Sequence, residues 1–129
     1  MKELLGKKIT RLFVDSEDQG AIMFVAGDEE IIYDAVGDCC SETWFADITG
    51  VDALIGGTIS GVEIIDIGEV DDKRGRQEYD EAYGYKITTE KGYVDIVYRN
   101  SSNGYYGGWC EIVGSHAGKM EEVTDDWSA

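Results

Sequence analysis

Residues 98–110, YRNSSNGYYGGWC, concentrate side chains that suit ligand binding. The asparagines and serines supply amide and hydroxyl groups, and Arg99 supplies a cation. Tyr105 and Tyr106 offer flat faces on which a ring can stack. A Gly-Gly pair interrupts the strand pattern, which weakens a strand unless a ligand or another backbone lies close. This combination predicts one wall of a site for a small, planar, phosphate-bearing ligand.

The same segment also has a purely structural interpretation. Asn103 and Gly104 lie between alternating apolar stretches, and Asn-Gly is a strong signal for a type I′ hairpin turn. The tyrosines would then form cross-strand pairs. We expect a hairpin whose rim also contacts the ligand.

The segment GSHAGK, residues 114–119, has the composition of a flexible flap. Gly114 and Gly118 bracket His116, and Lys119 is long enough to reach a phosphate. We therefore expect this segment to close over a bound ligand.

Metal binding and catalysis have little support in the sequence. Cys39, Cys40, Cys110 and His116 carry possible zinc ligands, but two of the cysteines are adjacent and no Cys-x-x-Cys spacing exists. A nucleophilic Cys–His pair would need a spatial proximity that the sequence does not show. No P-loop, GxGxxG, HExxH or paired-carboxylate motif is present. We expect a binding protein without catalytic activity, metal or cofactor.

The charge balance limits the partners. The chain has 27 Asp and Glu against 11 Lys and Arg, a formal net charge of −16. Binding to nucleic acid or an anionic membrane needs clustered cations, so neither a nucleic-acid polymer nor a membrane is expected as partner. Two explanations of the acidity stay open. The acidic surface keeps the protein soluble, or its carboxylates bind a protein that normally binds DNA.

The sequence predicts neither a signal peptide nor a membrane span. The first residues, MKELLGKKIT, lack the apolar core of a signal peptide, and no apolar run approaches the roughly 20 residues of a membrane span. Three cysteines do not make a disulfide framework. We expect a cytoplasmic protein.

The elements that would position these side chains form one domain, residues 1–129. Alternating or apolar runs predict strands over 8–14, 21–26 and 30–36, joined as an antiparallel meander. Ser41 followed by Trp44, Phe45 and Ile48 predicts a short helix that ends at Gly50. The sequence VDALIG then predicts one helical turn.

The second half returns to strands. A strand is expected over 58–70 with a bulge at Gly61, a charged loop over 71–78, and two strands joined at TEKG. A last strand over 105–113 and a short helix over 120–123 complete the prediction. The fold class is therefore α+β: one antiparallel sheet of six or seven strands with one or two short helices on one face.

Two segments carry a family resemblance: GDCCSETWFADITGVDALIGGTI (37–59) and KGYVDIVYRNSSNGYYGGW (91–109). Together they resemble a family of small proteins of phages and prophages that includes the Thoeris anti-defence sponges. Those sponges bind cyclic ADP-ribose isomers made by bacterial TIR proteins without cleaving them, and some relatives also hold cyclic oligonucleotides. The resemblance implies an anti-defence protein in the host cytoplasm that sequesters a cyclic nucleotide signal. The alternative, from the charge, is an acidic DNA mimic that inhibits a host nuclease or another defence protein.

The resemblance also implies a homo-oligomer, a dimer or a multiple of dimers, with its pocket at a subunit interface. In that pocket an aromatic ring stacks on the adenine, an asparagine and cations contact ribose and phosphates, and a loop closes above. By order along the chain, Tyr93 would supply the ring and Asn103 the amide. The ligand-binding residues expected from both lines of reasoning are Arg11, Tyr93, Arg99, Asn103, Tyr105, Tyr106, His116 and Lys119.

Overall fold

Strands dominate the computed structural model, which describes residues 1–103 and 107–129. The helical elements of that part are a 3₁₀ turn, Lys2–Leu4, and a single helical turn, α1, Val51–Leu54. No helix in these two ranges is long and apolar enough to cross a membrane. The strands are β1 Arg11–Asp15, β2 Ala21–Ala26, β3 Glu29–Gly37, β4 Glu42–Thr49, β5 Ile59–Glu69, β6 Tyr79–Thr89, β7 Gly92–Ser102, β8 Gly108–Val113, β9 Met120–Glu122 and β10 Trp127–Ser128.

The strands form two antiparallel sheets of five strands each. The first has the order β8-β3-β2-β1-β9 and the second the order β10-β4-β7-β6-β5. Strands account for 59% of the described residues and helix for 6%. The predicted α+β fold, with helices covering one face of a single sheet, was therefore wrong, because a second sheet takes the place of those helices.

The hydrophobic core draws side chains from both sheets. Phe24 and Tyr33 make an edge-to-face ring pair in the first sheet, with centroids 6.0 Å apart. Tyr83 stacks on Tyr98 in the second sheet at 5.1 Å. Each fully buried large apolar side chain contributes about 1.5–3 kcal/mol to folding. Other fully buried members are Leu4, Ile9, Leu12, Ile22, Phe45, Ile48, Leu54, Ile59, Ile87 and Ile96.

The predicted helix over residues 41–50 is the strand β4. This strand pairs with β7, and its register shifts at a bulge between Phe45 and Asp47. The bulge brings both Phe45 and Ile48 onto the buried side, so their spacing imitates that of a helix. Ser41 is not an N-cap: its hydroxyl donates to the carbonyl of Asp38 in the turn before the strand.

Several local predictions are confirmed. Strands β1, β2 and β3 form the expected antiparallel meander. The turn at residues 89–92 joins β6 to β7, and the register of β5 shifts between Ile59 and Gly61, where a bulge was predicted. The single helical turn α1 follows Gly50, whose φ of 88° is in the left-handed region that glycine tolerates.

Two predictions in the last third of the chain were wrong. Strand β9 replaces the helix expected over 120–123 and pairs with β1, because its residues complete the edge of the first sheet. Strands β7 and β8 belong to different sheets, so they do not pair as the expected hairpin. The turn residue Gly104 and both Tyr105 and Tyr106 lie outside the described residues.

Candidate ligand-binding cleft

An open cleft of about 780 Å³ lies where the chain passes from the first sheet to the second. Its walls come from the turn between β1 and β2, the end of β3, the start of β4 and the segment 71–78. The side chains that matter for its chemistry are Gln19, Asp34, Trp44, Arg74, Arg76 and His116.

His116 lies between two carboxylates in this cleft. Its Nε2 donates to Oδ2 of Asp15, which is the last residue of β1. Its Nδ1 lies 3.8 Å from Oδ1 of Asp34. That Asp34 oxygen is buried and accepts no hydrogen bond from the described residues. The Asp34 side chain as a whole is 36% exposed and lines the cleft, so a hydroxyl or amino group of a ligand can reach the rest of the carboxylate.

Asp15 is the buried partner that fixes the histidine. Its side chain also caps the β1–β2 turn, since Oδ1 accepts from the amides of Glu17 at 2.8 Å and Asp18 at 3.1 Å. Burial raises the pKa of the Asp15 carboxyl, but the hydrogen bonds from His116 and the two amides outweigh burial and lower it. Asp15 is therefore a carboxylate at neutral pH.

The segment 71–78 is held against the second sheet by buried polar contacts. Asp80 is fully buried, and its Oδ2 accepts from the amides of Arg74 at 2.5 Å and Gly75 at 2.9 Å. The hydroxyl of Ser101 accepts from the amide of Gln77 at 3.0 Å. These bonds fix the segment although it has no regular secondary structure.

Arg99 is part of the same anchor. Its side chain is 5% exposed, and it donates to the carbonyl of Asp72 at 2.9 Å and to Oδ1 of Asp72 at 3.1 Å. Asp80 Oδ2 lies 3.8 Å from its Nη1. The Arg99 guanidinium lowers the pKa of the Asp72 carboxyl. Arg99 therefore holds the segment, and its two terminal nitrogens are engaged there.

The positive charge of the cleft comes from this segment. Arg74 pairs with Asp47 at 3.2 Å and with Asp72 at 3.3 Å, so its charge is largely compensated. Arg76 is exposed and has no ion pair with any described residue. Opposing carboxylates come from other segments: Glu17, Asp18, Asp34 and Glu42. Arg76 is thus the group best placed to contact an anion.

A buried amide supports the wall formed by β3 and β4. Asn100 is fully buried, and its Nδ2 donates to the hydroxyls of Ser41 at 3.0 Å and Thr43 at 2.8 Å. Gly37 and Gly108 pair across β3 and β8 directly against this cluster. A Cβ on Gly37 would lie 2.5 Å from Ser41 Oγ, and a Cβ on Gly108, from the Gly-Gly pair, would lie 2.7 Å from Thr43 Oγ1. The glycine signal in the sequence thus marks the close approach of another element.

The structure brings few of the sequence-predicted site residues together. His116 lines the cleft, Arg99 is buried against the segment 71–78, and Asn103 is exposed just after the end of β7. Arg11 is engaged with Glu122 through two bonds of 3.0 Å, and Lys119 is exposed while its carbonyl accepts from Ser16. The predictions for Tyr105 and Tyr106 fall outside the described residues.

Tyr93 lies far from the other predicted contacts. Its ring is 60% exposed, and Lys86 Nζ lies 4.1 Å from the ring centroid. Tyr93 is near the start of β7, whereas Asn103 follows its end. At about 3.3 Å per residue the two are roughly 30 Å apart, too far for both to contact one small ligand in a single chain.

Sequence reasoning missed the groups from segment 71–78 and from β4. The segment was interpreted as a charged loop, although its cluster of cations in a strongly acidic chain was a usable signal for Arg74 and Arg76. Trp44 was assigned to a short helix that packs on one face of the sheet. Among the residues that the structure describes, no group of three or more His, Cys, Asp or Glu is arranged to hold a metal ion.

Comparison with known proteins places the chain in a family. Residues 2–112 match the domain of unknown function DUF7448. The chain belongs to the DUF7448 family. An uncharacterized protein of Acanthamoeba polyphaga mimivirus is 36% identical over 97 residues, which cover 70% of this chain and 74% of that protein. No solved structure matches the chain.

The DUF7448 match contains almost the whole cleft. Segment 71–78, the β1–β2 turn and the β3–β4 junction all fall within residues 2–112. His116 follows the matched range. The scaffold of the cleft is therefore a feature of the DUF7448 region, and the histidine comes from the part of the chain that follows it.

Proposed function

We propose that this DUF7448 protein binds a small nucleotide-derived ligand in the cleft and sequesters it without cleaving it, as an anti-defence protein of a phage. The cleft is the observation that carries the proposal. Its volume of about 780 Å³ is in the range of ligand sites. Its lining is mostly polar, which suits a polar, charged ligand rather than an apolar one. The viral origin of the mimivirus relative supports a role in infection.

The lining offers separate contacts for the parts of a nucleotide. Arg76 and Arg74 can donate to phosphate oxygens, since guanidinium groups suit phosphate geometry. The Asp34 carboxylate lines the cleft with its side chain 36% exposed, so it can accept from a ribose hydroxyl or an exocyclic amino group. Trp44 supplies an aromatic face for a base. A cyclic ADP-ribose isomer or a cyclic oligonucleotide presents all three groups.

The proposal includes a homo-oligomer. Strand β5 is the edge of the second sheet and carries exposed isoleucines at positions 64, 65 and 67. An exposed apolar edge strand favours pairing with another chain. Tyr93 and Asn103, which one chain cannot bring to a shared ligand, would come together only between two chains.

Titration calorimetry with a panel of cyclic ADP-ribose isomers and cyclic di- and trinucleotides tests the proposal. We expect tight binding of at least one of them and full recovery of intact ligand after heat denaturation. Recovery of hydrolysed ligand would replace sequestration by catalysis, with the Asp15–His116 pair as the proton-transfer group. No heat with any compound would contradict ligand binding and turn the search to protein partners of the acidic surface.

The variant Arg76→Gln tests the cleft itself. Loss of one charge-assisted hydrogen bond should weaken binding by about ten- to a hundredfold, as measured by calorimetry. Lys73→Gln is the matched control, because it removes the same charge from the same segment but at a side chain outside the cleft lining. Equal affinities of wild type and Arg76→Gln would place the ligand elsewhere.

A further inference from the structure

The turn between β3 and β4 carries two adjacent thiols. Cys39 and Cys40 are both exposed, and their Sγ atoms lie 3.2 Å apart. Cys40 has a φ of 78°, a left-handed conformation that is unusual for a residue with a side chain. The backbone of this turn thus already holds the two sulfurs side by side at the surface.

The third cysteine has a different environment. Cys110 lies on β8, and burial raises the pKa of its thiol to about 12. A thiol that stays protonated is a poor nucleophile. The neighbouring Cys39 also raises the pKa of the Cys40 thiol, so it is exposure that should let an oxidant distinguish the pair in the turn from the partly buried Cys110.

The turn is bonded to the segment that carries the cleft arginines. The carbonyl of Cys40 accepts a hydrogen bond from Nε2 of Gln77 at 2.5 Å. The next residue, Ser41, lines the cleft and accepts from Asn100. A change in the backbone at Cys40 is therefore transmitted to the segment 71–78 and to one wall of the cleft.

We propose that Cys39 and Cys40 form a reversible redox site, in which a disulfide oxidant converts the two thiols to a vicinal disulfide and loosens the segment 71–78. The effect on ligand affinity rests on the function proposed above, whereas disulfide formation does not.

The chemistry is a two-electron thiol–disulfide exchange with an oxidant such as glutathione disulfide. One thiolate of the pair attacks a sulfur of the oxidant and displaces one molecule of thiol, which leaves a mixed disulfide on the protein. The second thiolate attacks the protein sulfur of that mixed disulfide and displaces the second thiol. The protein loses two protons and two electrons, which together are two hydrogen atoms, and the oxidant is reduced to two thiols.

Geometry makes this disulfide labile. Adjacent Cα atoms lie about 3.8 Å apart across a trans peptide, shorter than the roughly 4.4–6.8 Å found across most disulfides. A strained disulfide is reduced readily, which suits a switch better than a structural cross-link. Closing the ring also changes the backbone at Cys40, so the bond from Gln77 should be lost.

Mass spectrometry and thiol titration after equilibration with glutathione disulfide test the first half of the proposal. We expect the loss of two hydrogen atoms and of two thiols per chain, within one peptide that contains residues 39 and 40, and full reversal by dithiothreitol. Cys39→Ser and Cys40→Ser should not form the intramolecular bond, whereas Cys110→Ser should behave as wild type. A persistent glutathione adduct, a cross-linked dimer or three unreacted thiols would overturn the proposal.

Amide hydrogen exchange tests the second half without any ligand. Oxidation should speed exchange within 71–78 by about fivefold, as expected for loss of one hydrogen bond. Gln77→Glu in the reduced protein should reproduce this increase, because a carboxylate cannot donate to the carbonyl. Unchanged exchange on oxidation would overturn the coupling while leaving the disulfide itself intact. Where the cleft ligand is known, its affinity should fall on oxidation and recover on reduction.

Discussion

One histidine and one buried carboxylate define the polar end of the cleft. Asp15 holds His116 from one side and caps the β1–β2 turn with its other oxygen. Neither role could be predicted from the sequence, because Asp15 on β1 and His116 after β8 are far apart along the chain. The histidine was expected in a mobile flap, and in the structure it is fixed to the end of a strand.

Ionisation of the Asp15 carboxyl should make the free energy of unfolding depend on pH. Because the pKa of Asp15 is lowered in the folded state, its ionisation stabilises the fold above the unfolded pKa of about 3.9. This contribution is lost as the pH falls through the lowered folded value. Urea unfolding of Asp15→Asn should therefore show its largest deficit in the free energy of unfolding near neutral pH, and a smaller one once the pH is below the lowered folded pKa of Asp15. Asp52→Asn, at an exposed position on α1, is the control; a deficit that does not change with pH would contradict the assignment.

The segment 71–78 forms one wall of the cleft although it has no regular secondary structure. Its backbone amides bond to Asp80, and Arg99 holds Asp72 from the neighbouring strand β7. These anchors are contributed by β6 and β7, which also form the centre of the second sheet. The position of the cleft arginines therefore depends on the sheet.

Asp80→Ala should detach this segment. Removal of a buried carboxylate leaves the Arg99 guanidinium without part of its compensation and frees two amides, so we expect a loss of about 3–5 kcal/mol in the free energy of unfolding. Chemical denaturation measures it. Asp71→Ala, an exposed acidic residue of the same segment, should change stability by less than about 0.5 kcal/mol. Similar losses in both variants would mean that Asp80 is not the anchor.

The elements also show which parts of the fold were predictable. The first meander and the β6–β7 turn follow from alternation and turn residues, which act locally. Strand β4 was missed because its bulge breaks the alternation and gives Trp44, Phe45 and Ile48 a helical spacing. The cleft was missed because it is built between segments that are distant in sequence, and no local pattern reports such contacts.

For the molecule as a whole, charge and the open edge act in opposite directions. A net charge of −16 repels a second copy, whereas the exposed isoleucines of β5 favour its approach. Salt at 0.1 M largely screens the repulsion between charges more than about 10 Å apart, whereas it does not weaken the apolar contact. Self-association should therefore strengthen as the salt concentration rises.

Ile64→Lys tests which edge associates. The side chain is 68% exposed in the single chain, so the substitution should cost the monomer little but should abolish pairing through β5. We expect a dimer for the wild type and a monomer for the variant in sedimentation at equal concentration. Trp109→Lys, at an exposed residue on β8 of the other sheet, should remain dimeric. A monomeric wild type at all salt concentrations would contradict the proposed oligomer.

The order of strands in the two sheets also affects the folding rate. Each sheet has an edge strand that comes from the C-terminal end of the chain. Strand β9 pairs with β1, where Met120 lies opposite Asp15, and β10 pairs with β4, where Trp127 lies opposite Ile48. The long chain segments between the paired strands must first lose conformational entropy as their ends come together, and only then can the strand contacts stabilise the fold. Stopped-flow refolding, followed by tryptophan fluorescence, should therefore proceed in milliseconds to seconds rather than microseconds, with the search for distant strand partners as its slow step.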